Sequence, residues 1–316
     1  MRTTMLILCV LLCVYRVAVG QPEGQIACTV HVADGDNDIR LIDAATGVAH
    51  EFPLEMGIEN APQFSRDGRW LVFSGGPSSL SNIYVARPGG SDIRAVTSGA
   101  GNFVEPDFSP DGSEVVFHSV YGSIRRVSTA GGAIVDTGVF GAHTRWNPAP
   151  GSRLVLSSDY PGSNLLSALD IDTLTNSPRV TNAVRADWSW DGTRIVYVHP
   201  GPDGLADLFV CDATGAGSTN ITNSPGIADG IGAFSPDGLY VCFSRPTPGP
   251  NDPSDLYTMR VDGTELRNLT NTPSIDEVGP TWAPYPTCNP DFNGDGNVDQ
   301  DDVAALIDVI AGGECP

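Results

Sequence analysis

The sequence predicts an all-β fold: a six-bladed propeller of four-stranded antiparallel blades, with a small loop-and-helix module behind it. Three observations carry this. An aromatic anchor recurs at Phe64, Phe108, Trp146, Trp188, Phe234 and Trp282, at spacings of 44, 38, 42, 46 and 48 residues. Asp-Gly follows the anchor in most units, before a run of β-branched and aromatic residues. The two ends of the repeat region supply complementary parts of one further unit. This period and turn chemistry are those of a propeller blade rather than of a β-helix or a two-sheet sandwich.

Residues 1–20, MRTTMLILCVLLCVYRVAVG, combine a short basic start, an apolar run and small residues before Gln21. That pattern is an export signal, and the run is short for a membrane span. The segment from Gln25 to Leu54 then reads as a second, third and fourth strand with no first. Five continuous units follow. Each has an anchor strand such as FSPDG, a second strand such as EVVF or RIVY, a third such as DLFVCDATG, and a short fourth ending in AVTS, RVTN, NITN or NLTN. Around Trp282 lies a first strand without the others, so the ends are expected to pair and close the ring. Closure removes the exposed edges that β-structure otherwise presents.

The unit resembles the TolB-type WD40-like repeat family, also called PD40 repeats. The resemblance spans roughly residues 25–284 and is carried by Asp67-Gly68, Asp111-Gly112, Asp191-Gly192 and Asp237-Gly238. In the fourth blade Pro150-Gly151 replaces Asp-Gly. The resemblance implies a propeller that binds proteins or glycans, or a platform beside a separate catalytic domain. It fixes no reaction.

Composition narrows the chemistry. The 316 residues carry a formal net charge of −21, and all 17 basic residues are arginine. Nucleic-acid backbones and anionic membranes are poor partners for such a surface. Schiff-base and P-loop lysine chemistry is excluded. There is no GxSxG elbow and no HExxH pair. The Asp-Gly aspartates are structural, accepting hydrogen bonds from nearby amides while Gly takes positive φ.

Candidate binding residues come from position. The residue before each anchor is expected to face the central channel: Gln63, Asp107, Arg145, Asp187, Ala233 and Thr281. Asp107, Asp187 and Arg145 can hold a cation, a glycan hydroxyl or a peptide terminus, or simply form a solvated wall. His143 and His199 lie near loop ends on the face opposite the Asp-Gly turns, where variable loops such as 199–207 and 244–255 also fall. Cys211 and Cys242 lie on strands of successive blades, either as a pair or as buried thiols.

Residues 285–290 read as a linker, and residues 291–316 as a module of different kind. Asp291, Asn293, Asp295, Asn297, Asp299 and Asp302 stand at positions 1, 3, 5, 7, 9 and 12 of a Ca²⁺ loop, with Gly296 at the sharp turn. Val303, Leu306, Ile307 and Ile310 then line one helical face. A loop and helix with Asp at position 12 and no entering helix resembles one half of a type I dockerin repeat. That resemblance implies docking onto a cohesin-like partner, although only one repeat is present. Cys288 and Cys315 bracket the module, and a disulfide between them would close it. The domain boundaries are therefore 1–20 signal, 21–284 propeller, 285–290 linker and 291–316 calcium module.

These readings lead to a secreted, non-catalytic propeller that binds protein or glycan, with a calcium-loaded tail for attachment. The competing class is an extracellular carbohydrate-active enzyme with its site at the channel mouth. A third reading is a periplasmic partner of a cell-envelope complex.

Overall fold

The computed structural model describes residues 22–285, apart from 32–36, 55, 78–79, 100, 121, 159–163 and 248–252. The expected export signal, the expected Ca²⁺ loop and helix, and Cys288 and Cys315 lie outside the described residues. Every regular element described is a β-strand.

The first strands are β1 (Gln25–His31), β2 (Asn37–Asp43) and β3 (Ala49–Glu51). The units then follow in chain order. They are β4 (Ile58–Phe64), β5 (Leu71–Gly76), β6 (Asn82–Ala86) and β7 (Arg94–Ala95); β8 (Phe103–Phe108), β9 (Glu114–Ser119), β10 (Ser123–Ser128) and β11 (Val135–Phe140); β12 (Ala142–Trp146), β13 (Leu154–Ser158), β14 (Leu166–Asp170) and β15 (Asn176–Val180). Next come β16 (Val184–Trp188), β17 (Arg194–Pro200), β18 (Ala206–Asp212) and β19 (Thr219–Asn220), then β20 (Gly232–Phe234), β21 (Tyr240–Pro246), β22 (Ser254–Arg260) and β23 (Arg267–Asn268). The last strand is β24 (Asp276–Ala283).

Four of the sheets are separate four-stranded antiparallel groups. A larger, eight-stranded sheet divides at a single parallel bridge, Asn37 to Ile58, into β24-β1-β2-β3 and β4-β5-β6-β7. The expected pairing of the chain ends is present: β24 runs antiparallel to β1, with Gln25 opposite Ala283 and His31 opposite Asp276. Trp282 is fully buried at this seam, and its indole N–H donates to the Glu23 carbonyl at 2.9 Å. Gly24 makes the approach possible. Its φ is +117°, and a Cβ there would sit 2.2 Å from the Ala283 carbonyl oxygen.

The first strands touch in cyclic order, β4 to β8, β12, β16, β20, β24 and back to β4. The core follows the same cycle. Apolar clusters fill each space between neighbouring groups, from Phe73 and Ala283 through Phe117, Trp146, Tyr197 and Phe243 to Cys242 and Trp282. Strands buried on both faces explain why EVVF, RIVY and YVCF read as continuous apolar runs.

The Asp-Gly turns are built as expected. Asp67 Oδ1 accepts from the Ser65 hydroxyl at 2.6 Å and the Arg69 amide at 3.0 Å, and Gly68 takes φ +70°. The same bonds recur at Asp111, Asp191 and Asp237. In the variant unit Asn147 Oδ1 accepts from the Ala149 amide and Gly151 takes φ +72°, so the turn survives loss of the aspartate.

Candidate functional site

The propeller channel has two unlike ends. Toward the Asp-Gly turns, Gln63, Asp107, Asp187 and Thr281 converge from four different groups on a cavity of about 60 Å³, walled by Phe64, Trp146, Trp188 and Trp282. These are four of the six residues expected at the channel. Ala233 is buried and Arg145 is directed to the other end. Two side chains reach across this end. Arg66 donates to the carbonyls of Trp190, at 2.9 Å, and of Pro148. The Trp190 indole donates to the Trp282 carbonyl at 3.1 Å.

Burial dominates the two channel carboxyls. It pushes Asp107 up to about 7, against the pull of Arg145 and of the Trp146 and Phe108 amides, with Asp187 adding to the rise. It pushes Asp187 up to about 6, against Arg145 and the Trp188 amide. Asp107 accepts from Trp146 N–H at 2.7 Å and Phe108 N–H at 2.8 Å, and Asp187 from Trp188 N–H at 2.9 Å. These bonds hold each carboxyl against its own strand and tie Asp107 on β8 to β12 as well.

The opposite end is wider. A repeated backbone irregularity shapes it. Three residues before the anchor, five first strands carry a residue in the left-handed region: Ala61 (φ 51°), Glu105 (51°), His143 (55°), Arg185 (51°) and Gly279 (60°). Each coincides with a register shift against the next strand. Such bulges redirect a side chain that a regular strand would keep in its pleat, and left-handed non-glycine residues gather where a protein uses them. Ala61, Glu105, Arg185 and Gly279 thereby line one cavity of about 400 Å³, with Arg145 deeper in its wall. A second cavity of about 400 Å³ adjoins it through Glu105 and Arg185 and includes His118 and His143.

Glu105 is the hub between the two. Its Oε2 accepts from His118 Nε2 at 3.0 Å and from the His143 amide at 2.8 Å, and its Oε1 lies 2.8 Å from His143 Nδ1. Burial alone would push the carboxyl up, but the bonds from His118 and His143 outweigh it and hold it well below the usual carboxylate range. Its backbone carbonyl accepts from the Thr144 hydroxyl at 2.8 Å.

The structure thus brings Asp107 and Asp187 together at the narrow end and places Arg145 and His143 toward the wider end. His199 stands apart at the end of β17, with Nδ1 2.8 Å from the Pro200 carbonyl and its ring against Phe209. It lines none of the three cavities described. Sequence reasoning missed Glu105, His118 and Arg185. The signal lay in their register, since Glu105 and Arg185 stand three before an anchor. The thiols of Cys28, Cys211 and Cys242 are free and buried. Burial raises all three, Cys211 to about 11. Cys242 shares its core cluster with Cys28 and not with Cys211, so Cys211 and Cys242 do not pair.

No family model matches the chain. An uncharacterized protein of Agrobacterium fabrum is 27% identical over 180 residues, which are 56% of this chain and 52% of that protein. The chain thus spans about half the length of the curated relative it matches. Among solved structures, TolB from Acinetobacter baumannii superposes with a TM-score of 0.71 at 20% identity, over 86% of this chain and 70% of that one. A protein of Agrobacterium tumefaciens assigned as TolB gives 0.59 at 16% identity, over 84% of this chain and 100% of that one. Hydrazine synthase of Kuenenia stuttgartiensis gives 0.67 at 14% identity, over 86% of this chain and 48% of that one. At these identities the likeness speaks for architecture, and the architecture is that of a TolB-type β-propeller.

Proposed function

We propose that the chain is a six-bladed, non-catalytic binding scaffold that takes up a protein or glycan ligand at one end of its channel. The supporting observation is the asymmetry of that channel: Arg66 and Trp190 bridge one end, while polar side chains on bulged strands surround a wider cavity at the other. Residues 1–20 direct export, and the protein works outside the cytoplasm, at the cell surface or in the periplasm. Residues 291–316 form a dockerin-like module that binds Ca²⁺ through Asp291, Asn293, Asp295, Asn297, Asp299 and Asp302, and attaches the propeller to a cohesin-like or cell-surface partner. The donor chemistry supports this: carboxylate and amide oxygens at alternating positions suit a hard cation.

A pull-down from cell-surface extract and on polysaccharides, with Ca²⁺ and with EGTA, tests both halves. Capture that needs Ca²⁺ and disappears in Asp291→Ala is the expected result for the tail. Ca²⁺-independent capture retained by a chain ending at Ala283 is the expected result for the propeller. Isothermal calorimetry that registers no heat on adding Ca²⁺ would end the metal reading.

One observation favours a second reading. Asp107 and Asp187, raised to about 7 and about 6, share a narrow cavity within the pull of Arg145, as a carboxyl pair in acid–base catalysis would. An extracellular hydrolase or lyase acting on a polysaccharide is the corresponding activity. Release of reducing ends or unsaturated products by the purified protein, lost in Asp107→Asn, would establish it.

A further inference from the structure

We propose that the wider mouth of the channel binds the C-terminal carboxylate of a peptide between Arg145 and Arg185; this rests on reading the propeller as a binding scaffold. The first argument is charge. In a chain of net charge −21, two guanidinium groups line one cavity, and among the described residues neither forms an ion pair, although Arg145 also pulls on Asp107 and Asp187. Among the described residues Arg185 makes no hydrogen bond or ion pair, and Arg145 makes one hydrogen bond, to the Thr144 carbonyl at 2.8 Å. Most other arginines of the described chain are committed. Arg40, Arg126, Arg153 and Arg245, for example, lie 2.5 to 3.1 Å from carboxylates. Arg145 is itself buried, so a second charge brought to it is poorly screened.

The wall does not cancel the charge of Arg185, while Arg145 shares its charge with Asp107 and Asp187 behind it. Glu105 is the wall's one carboxylate, and both Glu105 oxygens are engaged by His118 and His143. His31, also in the wall, is held by Asp276 at 2.7 Å. The unmet need is an anion with two acceptor oxygens, which a carboxylate supplies and a guanidinium recognises with directed bonds.

The surroundings select the source. Val104, Ile231 and Val278 give the cavity an aliphatic side, which suits the last side chain of a peptide. No Phe, Tyr or Trp lines it, so it lacks the broad platform on which a sugar ring stacks. The net charge of −21 disfavours a polyanion such as a polyuronate. The bridging of the far end by Arg66 and Trp190 leaves room for a chain end rather than for a strand passing through.

The test uses the full exported chain labelled with ¹⁵N-arginine, whose Nε–H signals for Arg145 and Arg185 are assigned from Arg145→Lys and Arg185→Lys. The probes are acetyl-Gly-Gly-Ala-Val with a free carboxylate, the same peptide as its C-terminal amide, and digalacturonate. The free acid is expected to shift both signals saturably. The amide and Arg185→Gln are each expected to weaken binding about tenfold or more, the worth of one charge-assisted bond. Arg185 is exposed, and an unchanged melting temperature confirms that Arg185→Gln is folded. Equal binding of acid and amide, no shift with the acid, tighter binding of digalacturonate, or full affinity in Arg185→Gln would each overturn the proposal. Shifts with the acid alongside an empty pull-down would reject the scaffold role and leave the carboxylate site standing. A productive pull-down without these shifts would do the reverse.

Discussion

Asp187 shows how one side chain ties burial to pH. Its folded value, about 6, lies above the ordinary 3.8, so the native state holds the proton more tightly than the unfolded chain does. Its contribution favours folding at pH 4 and is lost as pH rises through about 6. Asp187→Asn keeps an oxygen for the Trp188 amide and carries no charge. The variant is therefore expected to lose part of the decline in stability between pH 4 and 7, on the order of 1–3 kcal/mol. Denaturant melts at both pH values measure it; identical slopes in wild type and variant would refute the assignment. Glu105 has the opposite sign. Held below its ordinary value by His118 and His143, it stabilises the fold above about pH 4.5 and loses that effect on acidification. The two windows are separable because burial wins at Asp187 and hydrogen bonds win at Glu105.

At the scale of the strand, the repeating turns were legible because their chemistry is local. Ser65 and Asp67 or Ser189 and Asp191 sit two residues apart and bond to each other, so the motif and the contact coincide. The terminal seam was legible because a missing first strand and a spare one are both visible in the repeat. The bulges were not. Left-handed backbone announces itself when glycine occupies it, and here only Gly279 of five equivalent positions is glycine. Nor did any motif link Glu105 with His118, since a register across β8 and β9 brings them together. The seam itself gives a sharp expectation. Gly24→Ala places a Cβ against the Ala283 carbonyl at a φ that alanine resists. It should destabilise the propeller by roughly 2–3 kcal/mol, seen as a lowered thermal midpoint. An unchanged midpoint would mean that the seam contributes little.

At the scale of the molecule, the cyclic contact of first strands and the apolar clusters between successive sheets make one closed body whose axis carries the polar side chains. Removing Arg66 should widen the narrow end without unfolding this body, because its bonds run between carbonyls of other groups and it is itself exposed. Arg66→Ala is expected to raise quenching of tryptophan fluorescence by acrylamide while shifting the melting temperature by only a few degrees, about 1 kcal/mol of stability. Unaltered quenching would show that Trp190 alone shields the narrow end.

The seam between β1 and β24 has a mechanical side as well. Gln25 faces Ala283, so the segments leaving both strands emerge from the same end of the ladder. Tension applied between them peels the rungs apart one after another instead of shearing them all at once. The force needed is then set by the first few bonds, with Trp282 and the hydrogen bond from Tyr285 to Asp43 acting as the catch that must slip before the ring unzips.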